Sequence, residues 1–209
     1  MNDRIVWKIT ETEQELLSQF EHPEYFAEKI ANLKDGSRRK LEVLAVRRAI
    51  KELFYGEEQQ VLYDADGKPY LPDISNTKPA PHISISHTDG YCAVIVSTDF
   101  PVGIDIERIG RRVERVIGHF LMPEELVILN MSAETISLNI LYHLAWSAKE
   151  TAYKVLGRKY YDLQHQTSII NVDVPAQIIV IKAAGIDQPM TIHFDLSDDY
   201  VLTWTEVIN

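Results

Sequence analysis

The sequence has a single cysteine, no long apolar run and no surplus of positive charge. Cys92 stands alone, so no disulfide can form within the chain, and this fits a reducing compartment. No apolar stretch approaches the ~20 residues that a membrane-spanning helix needs. The residues that follow Met1 lack the basic and then apolar pattern of a signal peptide. We therefore expect a cytoplasmic protein that does not associate with membranes.

The charge balance is acidic, with 21 Lys and Arg against 31 Asp and Glu and a net charge of −10. A protein that binds nucleic acid needs a basic stripe, so this class of function is disfavoured. The best candidate for a local basic patch is the block from Lys34 to Lys51. This run has two interpretations: a docking patch for an acidic partner, or a solvated helix face, which is the commoner meaning of such runs.

The periodicity of the apolar residues predicts a mixed fold. A spacing of three and four predicts helices over residues 12–33 with a break at Pro23, 38–54, 112–120, 124–129 and 138–156. Alternation predicts strands over residues 4–9, 61–63, 82–86, 91–97, 102–107, 169–172, 178–182, 191–196 and 200–206, and prolines predict a loop over 72–81. Strands and helices that follow one another in blocks are typical of the α+β class. The same order also suggests one module used twice.

An acidic strand is the first chemical signal. In Gly103 to Glu107, alternate residues share a face, so Asp105 and Glu107 lie together opposite the two isoleucines. Neighbouring carboxylates repel each other unless a cation lies between them, and oxygen ligands favour a hard cation such as Mg²⁺. The alternative is a half-exposed strand with a wet acidic face.

Three further motifs carry candidate functional side chains. On the predicted helix 138–156, Glu150 and Lys154 are four residues apart and share a face, although such a pair is often only a weak surface ion pair. His87 ends a predicted strand, where it either binds a phosphate or packs at the Asp89–Gly90 turn. Lys68 follows Gly67 in a turn that directs a fixed charge outward or has no function at all.

Taken together and in this order, the motifs resemble the 4′-phosphopantetheinyl transferase superfamily. The matching segments are Gly67-Lys68-Pro69, Ser86-His87, Gly103 to Glu107, and Trp146 to Lys154. The length resembles that of the larger, single-chain type that activates nonribosomal peptide and polyketide synthases. The resemblance implies two similar α+β modules related by a pseudo-twofold axis, each a long helix packed on a small antiparallel sheet. The halves would be residues 1–103 and 104–209, with the active site at their interface.

The resemblance also implies an activity. The chain would transfer the 4′-phosphopantetheine group from coenzyme A to a serine of an apo acyl or peptidyl carrier protein and release 3′,5′-ADP. The metal would be Mg²⁺, held by Asp105, Glu107 and Glu150. Coenzyme A would contact Arg38, Lys68, Pro69, Tyr70, Ser86, His87 and Lys154. Catalysis would fall to Glu150, Lys154 and Glu125, with the general base left open between the two glutamates.

Two alternatives and two departures qualify this interpretation. The chain could be another magnesium-dependent phosphotransferase or hydrolase, or a non-catalytic protein that docks carriers. Thr151 replaces a usual Ala or Ser, and residues 108–137 resemble the family little, which leaves the choice of carrier open. We expect a monomer, because two modules in one chain already build the cleft.

Overall fold

A computed structural model describes residues 2–72, 80–110 and 113–206. The chain divides into two compact units, Met1–Val102 and Gly103–Asn209. Each unit combines helices with antiparallel strand pairs, so the mixed class predicted from the sequence is confirmed. The pseudo-twofold relation between the halves stays a prediction, as does the active site at their interface.

Unit 1 is built on a three-stranded antiparallel sheet. Its strands are β1 (Asn2–Lys8), β4 (His82–Thr88) and β5 (Tyr91–Ser97), in the order β1-β5-β4. Two short strands, β2 (Leu62–Tyr63) and β3 (Pro69–Tyr70), form a separate hairpin. The turns at Gly67 and Gly90 have φ of 82° and 81°, a left-handed conformation that favours glycine. These turns fix Lys68 and His87 at hairpin ends, as the sequence predicts.

The helices of unit 1 differ in how well their bounds were predicted. The helix α3 (Arg38–Leu53) confirms the prediction over 38–54; its N-cap is Ser37, whose hydroxyl accepts from the Lys40 amide. Of the prediction over 12–33, the break at Pro23 into two helices is confirmed, but both helices are short. This segment holds only α1 (Glu13–Leu17), a 3₁₀ turn at Pro23–Tyr25 and α2 (Ala27–Ile30). Pro23 has no amide proton to donate, which prevents a continuous helix there.

Unit 2 is built on a five-stranded sheet in the order β6-β10-β9-β8-β7. Its strands are β6 (Val102–Arg108), β7 (Thr167–Asp173), β8 (Ile178–Ala183), β9 (Met190–Leu196) and β10 (Tyr200–Glu206). Its helices are α4 (Pro123–Ser132) and α5 (Leu138–Leu156), so the helix predicted over 138–156 is confirmed. Leu141, Leu144 and Ala148 on α5 are fully buried in one core with Ile179 and Ile192 of the sheet.

Two predictions over loop regions need comment. The helix predicted over 112–120 was wrong: two 3₁₀ turns, Val113–Arg115 and Ile117–His119, stand in its place, and Arg112 lies outside the described residues. The loop predicted over 72–81 falls mostly outside the described residues, since 73–79 are not among them. In the described ranges, none of the helices has both the length and the apolarity that a bilayer crossing demands.

Candidate active-site residues in both units

Strand β6 lies directly against helix α5 at Gly103. A Cβ atom added at Gly103 would lie 2.5 Å from the carbonyl oxygen of Thr151 and 2.7 Å from a methyl group of Val155. Because no side chain fits at these distances, only glycine allows the strand to approach the helix so closely. The glycine of the Gly-Ile-Asp-Ile-Glu motif is therefore a packing requirement that brings the carboxylates of β6 next to α5.

The close approach joins Asp105 to Lys154. The ammonium group of Lys154 donates to Asp105 Oδ1 at 2.8 Å and to the Ile104 carbonyl oxygen at 2.8 Å. Asp105 is only 4% exposed, as buried as its apolar neighbours in the strand. This burial argues against the alternative of a wet acidic strand face. It also makes the Asp105–Lys154 pair different from a weak surface pair.

Glu107 and Glu150 complete a group of acidic side chains around Lys154. The indole Nε1 of Trp146 donates to Glu107 Oε1 at 3.0 Å. Burial, reinforced by the negative charge of Asp105, raises the pKa of Glu107 to about 7. The same two causes raise the pKa of Glu150. We refer to Asp105, Glu107, Glu150 and Lys154 as the acidic cluster.

The donor chemistry of the acidic cluster fits a hard divalent cation. Among the residues that the structure describes, no group of three or more His, Cys, Asp or Glu side chains is arranged to hold a metal ion. The three carboxylates nevertheless act on one another electrostatically, with Lys154 as the cation that offsets them. Carboxylate oxygens are the ligands that Mg²⁺ prefers. The raised pKa values of these carboxyl groups indicate a site that an added positive charge would stabilise.

The third predicted catalytic residue, Glu125, lies in a different environment. Its carboxylate forms an ion pair with the ammonium of Lys149, at 2.8 Å from Oε1. The same carboxylate accepts from the backbone amides of Met122 and Ile169, each at 2.7 Å. Glu125 is 2% exposed. These contacts favour a structural role that ties the start of α4 to β7, and its role as a proton acceptor stays a prediction.

Lys149 is the fully buried partner of this pair. Burial lowers the pKa of its ammonium. Besides Glu125, the ammonium donates at 2.8–2.9 Å to three backbone carbonyls, those of Phe120, Leu163 and Thr167. Sequence reasoning gave Lys149 no role. The signal was present, because Lys149 stands four residues after Ala145, within the apolar stripe of α5, where a lysine needs an internal partner.

In unit 1, a cavity of about 290 Å³ lies beside α3, the β2–β3 hairpin and the end of β4. This volume suits one end of a nucleotide-sized ligand. The lining of the cavity includes five titratable side chains, those of Lys29, Arg39, Glu42, Arg47 and His87, together with apolar residues of α3 and β4 and with Gly67 and Pro69 from the hairpin. We call this cavity the basic pocket.

The predicted coenzyme A residues distribute unevenly around the basic pocket. His87 and Pro69 line it, whereas Lys68 and Tyr70 line a second cavity of about 370 Å³ that also contacts Pro69. Arg38 and Ser86 line neither cavity. The side chain of Arg38 is 70% exposed and lies 3.1 Å from Glu42. Ser86 is buried within β4.

The basic pocket is lined instead by two arginines, Arg39 and Arg47, to which sequence reasoning gave no role in ligand binding. Arg39 Nη1 contacts His87 Nε2, and Arg39 is the immediate neighbour of the predicted Arg38. Arg47 is only 4% exposed, and its Nε and Nη1 atoms have no hydrogen-bond partner in the described part of the chain. The two are eight residues apart, about two helical turns, so helical spacing from Arg39 could have identified Arg47.

The basic run from Lys34 to Lys51 is largely neutralised inside unit 1. Three of its cations form ion pairs at 2.6–2.9 Å. Lys40 pairs with Glu13 and Asp35, Arg48 pairs with Glu52, and Lys51 pairs with Glu58. Paired cations attract a distant acidic partner less than unpaired ones do. The contacts therefore favour the plainer interpretation of this run over a docking patch.

Comparison with known proteins identifies the family. The family model described as "4'-phosphopantetheinyl transferase superfamily" matches residues 101–205, half of the chain. The "4'-phosphopantetheinyl transferase gsp" of Aneurinibacillus migulanus is 29% identical over 133 residues, 62% of this chain and 52% of that protein. The "4'-phosphopantetheinyl transferase" of Bacillus subtilis is 33% identical over 92 residues, 44% of this chain and 38% of that protein.

The chain thus spans about half, or less, of the length of these curated relatives. The family match nevertheless includes every member of the acidic cluster, from Asp105 on β6 to Lys154 on α5. It also includes Gly103, whose lack of a side chain lets these two elements meet. The chain belongs to the 4′-phosphopantetheinyl transferase superfamily.

Proposed function

We propose that this chain transfers the 4′-phosphopantetheine group of coenzyme A to a serine of an apo acyl or peptidyl carrier protein and releases 3′,5′-ADP. One observation carries the proposal. Within unit 2, Lys154 is bonded to Asp105 at 2.8 Å, and its charge also acts on Glu107 and Glu150. A cation-compensated set of carboxylates is the arrangement that a pyrophosphate and its metal ion require.

Each residue of the acidic cluster has a proposed role. Asp105, Glu107 and Glu150 would hold Mg²⁺, which supplies neutralisation of the pyrophosphate charge. Lys154 donates to the phosphate under attack, where its positive charge stabilises the negative charge that builds up in the transition state. Trp146 fixes the orientation of the Glu107 carboxylate through its indole hydrogen bond of 3.0 Å.

The carrier serine must lose its hydroxyl proton as its oxygen attacks the β-phosphate. A general base works best when its pKa lies near the operating pH. Burial and the charge of Asp105 raise the pKa of Glu150 when no metal ion is bound, whereas a bound Mg²⁺ would lower it, so the choice between the two glutamates rests on their contacts. Glu125 is less suited, because its carboxylate is already bonded to Lys149 and to two backbone amides. We therefore favour Glu150 as the acceptor of this proton.

The basic pocket is the proposed site for the 3′-phosphoadenosine end of coenzyme A. Arg39, Arg47 and His87 provide positive charge and donors, and the buried guanidinium of Arg47 has donors to spare. Pro69 offers a flat apolar surface, with Lys68 and Tyr70 just beyond it in the neighbouring cavity. Ser86 would act through its place in β4 next to His87, and Arg38 would lie at the pocket's exposed rim.

The mass of the carrier is the direct test. The protein is incubated with coenzyme A, Mg²⁺ and several apo carrier proteins, which are then analysed by mass spectrometry. An increase equal to one phosphopantetheine group supports the transferase. Release of 3′,5′-ADP without that increase would identify a hydrolase, and binding of carriers without either product would identify a docking protein.

The same assay tests the acidic cluster. We expect Glu150→Ala to abolish transfer, because it removes both a metal ligand and the favoured base, and to leave the circular dichroism spectrum unchanged. Glu124→Ala is the matched control, since Glu124 is an exposed carboxylate on α4 of the same unit. Near-normal turnover of Glu150→Ala in the presence of Mg²⁺ would contradict the assignment.

A further inference from the structure

Glu42 is a buried carboxylate that the proposed mechanism leaves without a role. It lies on the second turn of α3, lines the basic pocket and is 3% exposed. Three groups from two elements surround it: its oxygens lie 3.1 Å from Arg38 Nε, 3.5 Å from Arg39 Nη1 and 3.2 Å from His87 Nδ1. Sequence reasoning missed this residue, although its spacing from Arg38 and Arg39 places all three on one helix face.

Ion pairing alone does not account for the burial of Glu42. The side chains of Arg38 and Arg39 are 70% and 52% exposed, so water already solvates both cations. Pairs with such exposed partners contribute about 0–1 kcal/mol, whereas the burial of a carboxylate costs several times more. The burial of Glu42 inside a pocket therefore points to a role beyond ion pairing.

The geometry shows what Glu42 does for its neighbours. A carboxylate only accepts hydrogen bonds, so the 3.2 Å contact of Glu42 Oε2 with His87 Nδ1 favours a proton on Nδ1. This contact fixes the rotation of the ring and leaves Nε2 facing Arg39 Nη1. The same carboxylate oxygen, Oε2, is the one that lies closest to Arg39. One oxygen atom thus contacts two of the groups that line the pocket, beside Lys29 and Arg47, and His87 can donate to an anion once its Nε2 also carries a proton.

We propose that Glu42 is a positioning residue that aligns Arg39 and His87 for the 3′-phosphate, and that it thereby sets the preference for ligands that carry this group. The inference rests on the proposed function, because it takes the 3′-phosphoadenosine end of coenzyme A as the occupant of the basic pocket. Glu42 itself does not contact the phosphate, since two anions repel each other. Ligands without a 3′-phosphate do not depend on the aligned pair.

Calorimetric titration with two nucleotides tests the proposal without any need for turnover. Adenosine 3′,5′-bisphosphate carries the 3′-phosphate, and adenosine 5′-monophosphate lacks it. We expect Glu42→Gln to weaken binding of the bisphosphate about tenfold, the loss of one charge-assisted hydrogen bond, and to leave binding of the monophosphate unchanged. Glu42→Asp keeps the charge and should restore part of the preference.

Glu52→Gln is the matched control, because Glu52 lies on the same helix, is more than half exposed and pairs only with Arg48 in the described residues. This variant should bind both nucleotides as the wild-type protein does. If Glu42→Gln weakened the binding of both nucleotides equally, this would indicate general damage to the pocket and overturn the proposal. An unchanged preference of Glu42→Gln for the bisphosphate would also overturn the proposal. An increased preference would do the same, because Glu42 would then act as a competing anion. A wild-type protein that shows no preference at all would also overturn it.

The outcome is separate from that of the carrier experiment. If no carrier gains mass but the wild-type protein prefers the bisphosphate in a Glu42-dependent manner, the transfer reaction fails and the positioning role stands. If carriers gain mass and Glu42→Gln leaves the preference unchanged, the transfer reaction stands and the positioning role fails.

Discussion

Two lysines on helix α5, five residues apart, show how one segment serves two purposes. Lys149 is fully buried, and its ammonium has Glu125 and three backbone carbonyls as partners. The side chain of Lys154 is 22% exposed and bonds one carbonyl and Asp105. Since five residues turn a helix by about 140°, the two side chains leave α5 in widely different directions.

The difference in burial and partners distinguishes a lysine that stabilises the fold from a lysine that is able to contact a substrate. The partners of Lys149 come from α4, from β7 and from the segments just before each of them, so this charge holds the unit together. The partners of Lys154 are all on β6, and the side chain keeps access to solvent. A cation that retains access can change partners when a phosphate arrives, whereas a cation enclosed by carbonyls cannot. We expect substitution of each lysine to affect a different measured quantity.

The largest effect should come from Lys149→Met, which preserves the length of the side chain but removes its charge. It leaves Glu125 buried without a cation and removes one donor from each of three carbonyls, so the free energy of unfolding should fall by about 3–5 kcal/mol. Denaturation in urea measures this change. Addition of Glu125→Gln to the same chain should recover part of the lost free energy of unfolding. If Lys149→Met alone lowered that free energy by less than about 1 kcal/mol, the pair would not be structural.

Lys154→Ala should instead reduce turnover. Removal of a group that stabilises transition-state charge typically costs about 10²–10³ in kcat, while the free energy of unfolding should change little. Carrier modification rates at several concentrations of coenzyme A separate kcat from KM. Lys159→Ala, which removes an exposed lysine just after α5, is the control. An increase in KM with kcat unchanged would assign Lys154 to ground-state binding.

The smallest effect concerns Glu107 and depends on pH. Burial and the charge of Asp105 raise the pKa of Glu107 from 4.5 to about 7 in the folded chain. The folded state then binds this proton more tightly than the unfolded state does, so the free energy of unfolding should fall as pH rises between these two values. Glu107→Gln removes this contribution.

With a chelator present, the free energy of unfolding of Glu107→Gln should therefore exceed that of the wild-type protein by up to about 3 kcal/mol at pH 8 and by much less at pH 4. Urea denaturation at the two pH values gives the comparison. Glu124→Gln provides the control, because Glu124 is exposed. A stability difference that is the same at both pH values would show that Glu107 titrates normally.

The sequence predicts most of the regular structure and the members of the acidic cluster. The bounds of α5 follow from an uninterrupted apolar stripe, and Gly90 marks the turn between β4 and β5. Period-two alternation on β6 places Asp105 and Glu107 on one face. Helical spacing does the same for Glu150 and Lys154. These are local properties that a single segment determines.

Contacts between distant segments were not predictable in the same way. The partners of Lys149 lie 14 to 29 residues away along the chain, and His87 lies 45 residues beyond Glu42. Their meeting depends on how strands and helices pack, which periodicity does not encode. Arg38 was assigned from its position in the family pattern, which does not reveal whether Arg38 or Arg39 faces the pocket. The 3₁₀ turns near Val113 show the same limit for short segments that lack a strong apolar stripe.

The titration of a divalent ion tests the central claim most directly. Wild-type protein and Glu150→Ala are each titrated with Mn²⁺, a paramagnetic substitute for Mg²⁺, in the presence of coenzyme A, and bound metal is followed by electron paramagnetic resonance. The account predicts one bound ion in the wild-type protein, displaced by excess Mg²⁺, and a loss of that binding in Glu150→Ala. Equal binding by both proteins would contradict the claim that these carboxylates hold the metal.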